Sequence, residues 1–442
     1  MKTKLNCFSE VTEVRNNLKN ETNSKGKTRK HNFFGNLYFV LCLAAMILSS
    51  VNNRIQAQTI IKNDSIKPFI NFLENNHFLS AKEYILSKFE TKDIVIFSER
   101  FHHEVTQYDL ILDVIKDKRF KGYIYTEIGH TNLSEKFNNF LLNSTFTEDE
   151  KQKELTNICR DLAPSLIWDP YNYYYLLNEV WELNKSRKKE DKILIFPLDV
   201  TIDWNDIQTN REFSIHDKFF NSKYRDQILG MNFVDFYEGK KSERKKALVI
   251  LNSEHGYKQN IKYLPLPTRP LIRRAGEFIN KTYPDKTFAI YINSCNIDNL
   301  NLSNNGIIDA AFEFSKKDNI GFDLKNTPIG KAKFDLYFTY NSKDWDTKIN
   351  YNYIFDGMIF YKPLKEMIIK SGIPNIYPKE YEELYFKRAS LVSGMTVKEA
   401  KNNEEFIELL KRINTPQKLS VDIYFNKNVE SVWDNQIKKW IK

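Results

Sequence analysis

Residues 93–104 read DIVIFSERFHHE: four apolar residues in succession, Ile94 to Phe97, and then a serine, two charges and a pair of imidazoles. A short unbroken apolar run is what a strand covered on both faces requires. The period then changes, with Val105, Tyr108, Leu112 and Ile115 falling on one helical face. Gly122-YIYTEIG repeats the strand pattern and leads into Asn132-LSE, a capping-box pattern, with Leu133, Phe137, Phe140 and Leu141 on one face. Strand, helix, strand, helix in this order predicts a βαβ unit and a parallel sheet.

The same pattern returns in Lys192-ILIFPLDV, Lys246-ALVILNS and Thr287-FAIYINS, which predicts five strands in the central sheet. The expected fold is α/β: a central, mostly parallel sheet flanked by helices on both faces, with a helical insertion and a C-terminal extension. Helices are expected across Asp64–Phe89. The insertion spans about 131–190 and includes Tyr173, Leu176, Leu177, Val180 and Trp181 at helical spacing. Beyond Asn296 come a weaker helix (Ile307–Phe314) and alternating strand-like runs (Phe334–Tyr340, Ile354–Tyr361). Without an internal repeat or a low-complexity linker, 58–373 reads as one elaborated domain. Residues 374–442 read as a helical extension packed on it, with one helix opened by the box Thr396-VKE and a close on Val432, Trp433, Ile437, Trp440 and Ile441.

A chain of 442 residues, 41% hydrophobic and 28% charged, is ordinary globular material; disorder, collagen and a multi-span membrane protein are excluded. The formal charge of +9 would imply an anionic partner if it were spread over a folded surface. Residues 1–57, however, hold nine basic and three acidic side chains, followed within that segment by the uncharged run Leu37-YFVLCLAAMIL and a small residue at Ala57. This arrangement predicts a secretory signal peptide cut between Ala57 and Gln58, because the run falls short of the about 20 apolar residues a span needs. The alternative is an uncleaved anchor. Cys42 does not make a lipobox, since Leu41 before it is too bulky. The remainder, from Gln58, carries 57 basic and 54 acidic residues, and that balance asks for no nucleic acid. The expectation is an exported protein, periplasmic or secreted, with no stable membrane span after cleavage and a small-molecule substrate. Cys159 and Cys295 are either a bridge or two buried thiols.

The chain from Gln58 has six histidines, and four of them (His102, His103, His130, His255) follow predicted strands. Open α/β sheets bind ligands at the carboxyl ends of their strands. Glu99 and Glu127 end apolar strands expected to be neighbours, where a carboxylate is costly unless paired or used. Strand three ends in Leu198-Asp199, and strand four in Asn252-Ser253-Glu254-His255. Two carboxylates near two imidazoles are the parts of general acid–base catalysis. The bland alternative is that Glu99 caps a helix and the histidines satisfy loop hydrogen bonds.

These segments resemble the erythromycin esterase-like family. Asp93-IVIFSERFHHE is similar to its strand followed by Gly-Glu-x-x-His-Gly, and Tyr123-IYTEIG to its second strand ending in a glutamate. Lys246-ALVILNSEHGYK is similar to the later strand with an Asn/His turn, and Phe355-DGMIFYKPLK to the closing strand with Asp-Gly. The resemblance spans about 90–365. It implies an α/β sandwich with a helical insertion walling a cleft, in a superfamily that includes ChaN-type haem-binding lipoproteins and Tiki/TraB-type metalloproteases. By position it implies His102 as the base that activates water, Glu99 and Glu127 as its carboxylate partners, and His255 in the same cleft. The implied chemistry is metal-independent hydrolysis of an ester or lactone without a cofactor. His103, His130, Asp199 and Glu254 are the expected substrate-binding residues.

Three departures from the pattern stand out. Ser98 replaces the motif glycine, His103 stands where a glycine is expected, and the acid expected further on is matched only by Thr106 or Gln107. His102, His103, Glu127 and His255 are therefore also alternative ligands for haem or a divalent transition metal, in a carrier without turnover. A third reading is an envelope protein whose site has decayed to partner binding. A serine hydrolase is rejected, because Ser98 lacks the Gly-x-Ser-x-Gly turn. Trp168 and Tyr171–Tyr175 either stack on a flat ligand or belong to the core.

Overall fold

The computed structural model describes residues 59–162, 171–220, 224–259, 273–296, 299–335 and 349–442. The expected signal segment 1–57, Trp168 and most of the run Phe334–Tyr340 lie outside the described residues. The chain divides into two units, Met1–Lys62 with Ile441–Lys442, and Asn63–Trp440. In the first unit Ile61 bridges Ile441, with Ile60 and Lys442 exchanging backbone hydrogen bonds at 3.0 and 2.9 Å. Everything below concerns the second.

Its centre is a seven-stranded sheet of β1 (Ile94–Glu99), β2 (Gly122–His130), β3 (Ile195–Asp199), β4 (Lys246–Asn252), β5 (Thr287–Ile292), β6 (Asn319–Asp323) and β7 (Gly357–Tyr361), in the order β3-β2-β4-β1-β5-β7-β6. Every pairing is parallel except β6 with β7. β1 and β2 are buried along their whole length, as their unbroken apolar sequences require. Helices cover both faces, so the fold is the expected α/β class, with seven strands in place of five. β7 lies inside the strand-like run Ile354–Tyr361, behind a short helix, Tyr351–Ile354. β6 carries no apolar run, since it is a short edge strand with its first residues and Asp323 toward solvent.

Strand order brings a second correction. β1 and β2 are not neighbours, because β4 lies between them, with Glu99 in register with Asn252. The carboxyl end of β4 therefore fills the space between Glu99 and Glu127. The box expected at Asn132 does not form either. The residues Thr131–Leu133 make a 3-10 turn, the helix starts at Ser134, and the Asn132 amide donates to Ile202 O at 3.2 Å.

The expected helical insertion holds the helices Ser134–Leu142, Glu148–Leu162 and Tyr171–Lys185, whose apolar faces join the main core. The weaker helix forms over Ile307–Phe314. In the last seventy residues the Thr396 box is made reciprocally with Glu399. The short strands β8 (Ile369–Ser371) and β9 (Gln417–Leu419) pair antiparallel. β8 grips the loop after β1, since Val105 N–H donates to Ile368 O at 2.7 Å and Lys370 N–H to His103 O at 3.1 Å. Cys159 and Cys295 are two buried thiols rather than a bridge.

Candidate active site

Glu99 ends β1 with no exposure to solvent, so its ionised form depends on donors. It has three. His102 Nδ1 lies 2.8 Å from Oε1, and the hydroxyls of Tyr108 and Tyr173 donate to Oε2 at 3.1 and 3.3 Å. A carboxylate only accepts, so Nδ1 of His102 carries the proton and Nε2 holds the lone pair. Burial works against a charged His102. The adjacent Glu99 carboxylate outweighs it, by charge and hydrogen bond, and with the charge of Glu127 raises the imidazole above its ordinary value. Tyr173 comes from the helix Tyr171–Lys185, so the expected core stripe also delivers a hydroxyl to the site.

The loop that carries His102 is braced from within. Gln107 accepts the Arg100 N–H at 2.7 Å and donates to Phe101 O at 2.8 Å, while Glu104 stands 3.2 Å from Arg100 Nε. Arg100 and Glu104 are both buried. Glu104 thus supplies an acid in this loop, and Gln107 serves as its brace. Ser98 is 1% exposed and its Oγ has no hydrogen-bond partner among the described residues. A Cβ on Gly256 would stand 2.3 Å from that oxygen, so the two residues pack directly.

Glu127, three residues before the end of β2, is also fully buried, and its closest partners are not His102. Asn252 N–H donates to Oε2 at 2.7 Å, Arg225 to Oε1 at 3.0 Å, and His255 Nε2 stands 3.5 Å from Oε1. Burial alone would raise this carboxyl, yet His255, Arg225 and His102 bring it down to about 2. On its other side His255 Nδ1 lies 2.8 Å from Asp226, which also accepts Ala275 N–H at 3.0 Å and faces Arg274 at 3.1 Å. Burial opposes a charged His255, but Asp226 and Glu127 carry it up to about 9. Arg225 Nη1, 3.3 Å from His255 Nε2, works in the opposite direction.

Of the expected substrate-binding residues, Asp199 and Glu254 join the ion pairs around Glu127 and His255, while His130 and His103 have other partners. Asp199 forms a two-point contact with Arg225, at 3.0 and 2.8 Å. Glu254 is bound by Arg274. His130 is buried at the end of β2 with Nδ1 2.7 Å from Val200 O, and burial lowers it despite Asp199. His103 turns away from His102 to the Tyr424 hydroxyl, 2.6 Å from its Nδ1. Four partners were not read from the sequence: Arg225, Asp226, Arg274 and Tyr108. The adjacent Arg225 and Asp226 open the helix Arg225–Lys240, a charged pair that reads as surface until the fold buries it.

A single metal ion held by His102, His103, Glu127 and His255 together would need the four to converge, and they do not. His103 points to Tyr424, His255 is held by Asp226, and Arg225 neutralises Glu127. Among the described residues no three His, Cys, Asp or Glu side chains are grouped to hold a metal ion. No helix among them is long and apolar enough to cross a membrane.

No protein-family model and no curated protein matches this chain. Among solved structures it is similar to a Bacillus cereus protein, at 13% identity over 66% of this chain and 96% of that one (TM-score 0.43). It is also similar to an erythromycin esterase variant in its open conformation, at 10% identity over 68% and 96% (TM-score 0.41). A third is ChaN of Campylobacter jejuni with cofacially bound haem, at 13% identity over 51% and 91% (TM-score 0.30).

Proposed function

We propose that this protein is an exported hydrolase that directs water at the carbonyl of a neutral ester or lactone. The observation that carries the reading is the Glu99–His102 pair, whose geometry leaves the outer ring nitrogen as a base. The water proton passes to His102 Nε2 as the oxygen adds to the carbonyl carbon. When the tetrahedral adduct collapses, the leaving alkoxide takes that proton back, so acid and alcohol are released and the imidazole returns neutral. The charge on His255 supplies the electrostatic support that a developing oxyanion needs.

The charge balance disfavours an anionic substrate. Five carboxylates (Glu99, Glu127, Asp199, Asp226, Glu254) are set against Arg225, Arg274 and His255, and each cation is already paired. A phosphate or carboxylate substrate would have to break these pairs. The test is a panel of neutral aryl and alkyl esters and macrolactones with the purified protein. Activity should survive chelator and disappear in His102→Ala; an inactive panel, or activity equal in His102→Ala, ends the proposal.

A further inference from the structure

A cavity of about 300 Å³ lies away from the Glu99–His102 pair, beside the end of β7. It is walled by the helix Ile307–Phe314, the end of β7 with the turn after it, and the C-terminal helix Val429–Ile437. Phe312 and Phe360 stack in it with centroids 3.9 Å apart. Trp433 is fixed beside them, its indole N–H donated to Leu300 O at 2.6 Å.

Asp309 lines this aromatic space. It is 8% exposed, and among the described residues no other side chain hydrogen-bonds to it. Burial, with Asp335 and Glu313 nearby, pushes its carboxyl up to about 7, against a backbone hydrogen bond and the charge of Arg100. Three lysines and five carboxylates line the cavity, so its balance is negative even with Asp309 neutral, and more so once it ionises. One of those lysines, Lys365, is 3.9 Å from Glu313. Aromatic faces attract cations, and a buried carboxylate gains most from a charged donor.

We propose that this cavity binds a small organic amine with an apolar or aromatic body, its ammonium on Asp309 and its body against the wall formed by Phe312, Phe360 and Trp433. The volume suits a ligand of roughly ten to fifteen non-hydrogen atoms, at the lower end of natural ligand pockets. An anionic ligand would meet unfavourable charge on every wall that carries Asp309, Glu313 or Asp434.

Calorimetric titration of the purified protein with 2-phenylethylamine tests this, with 2-phenylethanol and 3-phenylpropionate as neutral and anionic counterparts. One amine should bind per chain, with a Kd in the micromolar to millimolar range for a ligand of this size. The alcohol and the acid should bind about tenfold more weakly or not at all, the loss of one charged contact. Asp309→Asn should weaken the amine by about the same factor. Ile437→Trp, which fills the cavity from its half-buried edge, should abolish binding and decides the matter if Asp309→Asn does not fold. His102→Ala should bind the amine unchanged, which separates this site from the esterase reading. No saturable heat at millimolar amine, equal affinity for the alcohol, or undiminished binding in Ile437→Trp would overturn the proposal.

Discussion

His102 Nδ1 lies 2.8 Å from Glu99 Oε1, and that contact decides which ring nitrogen is left to act. The two residues sit three apart, one closing a buried strand and the other on the loop after it. The imidazole is therefore positioned by the sheet itself, while Tyr108 and Tyr173 fix the far oxygen of the carboxylate. The second imidazole, His255, is held by Asp226 and faces Glu127. The site thus contains two histidines in different settings, one against Glu99 and one between Asp226 and Glu127.

Replacing the base should remove most turnover while leaving the fold intact. His102→Ala should lower kcat for any ester the protein hydrolyses by about 10²- to 10⁴-fold, the usual contribution of a positioned proton acceptor. Glu99→Gln keeps the shape but removes the charge that sets the tautomer, and it should also lose activity in kcat rather than KM. Initial rates with far-ultraviolet circular dichroism as a folding control read both; a Glu99→Gln enzyme of normal kcat would remove Glu99 from the mechanism.

Ser98→Ala should keep its activity. The Ser98 hydroxyl is buried against Gly256 and bonds to nothing among the described residues, so it has no route to a substrate. Removing an unsatisfied buried hydroxyl is expected to leave stability unchanged or raise it by about 1 kcal/mol. Urea unfolding and ester kinetics on the same preparation measure both, and a large loss of kcat would revive the serine nucleophile.

The first five strands are legible in the sequence because each needs an unbroken apolar run to be buried on both faces. β6 is not, since an edge strand such as Asn319–Asp323 has one side in solvent and needs no such run. The order of strands is not written in any local pattern. That β4 separates Glu99 from Glu127 follows only from the folded register, and with it the Asn252 N–H that holds Glu127. For the same reason the histidines and carboxylates at strand ends could be named, while Arg225 and Asp226 could not. Charges at the start of a helix are common at surfaces, and only tertiary packing buries these two. His103 stands out in the sequence as a departure from a motif, but its direction, toward Tyr424, depends on a helix some three hundred residues later.

Gly129 connects Glu127 to His130 with φ at +102°, a conformation side chains rarely adopt. A Cβ there would also stand 2.8 Å from Pro197 Cβ and 3.2 Å from Leu162 and Phe137. Gly129→Ala should therefore destabilise the protein by about 1–3 kcal/mol from backbone strain, with more from the contact with Pro197. Chemical denaturation reads this directly, and a midpoint equal to wild type would show that β2 bends otherwise.

The rate should follow a bell in pH. His102 must be neutral to accept a proton, and Glu99 raises it above the ordinary histidine value, so kcat/KM should climb on a limb centred above pH about 6.5. His255 must be charged, and its value of about 9 places the descending limb there. In His255→Gln the rate should fall overall and the alkaline limb should vanish; a limb that persists belongs to another group.

Stability should respond to the same pairing. The folded value of His255 lies above its unfolded value of about 6.5, so the Asp226–His255 contact contributes fully below that pH and fades as pH rises through about 9. Glu127, brought down to about 2, works the other way: its contribution is present above the ordinary carboxylate value and is lost as pH falls toward 2. Asp226→Asn should cost about 3–5 kcal/mol at pH 6, where it leaves buried charges without their partner. As pH is raised toward 9.5 the Tm gap between wild type and Asp226→Asn should narrow, because the wild type alone loses an ion pair. Thermal melts of the two proteins across that range measure the gap, and parallel curves would mean that His255 is neutral in the folded protein and that its charge has no part in holding the site.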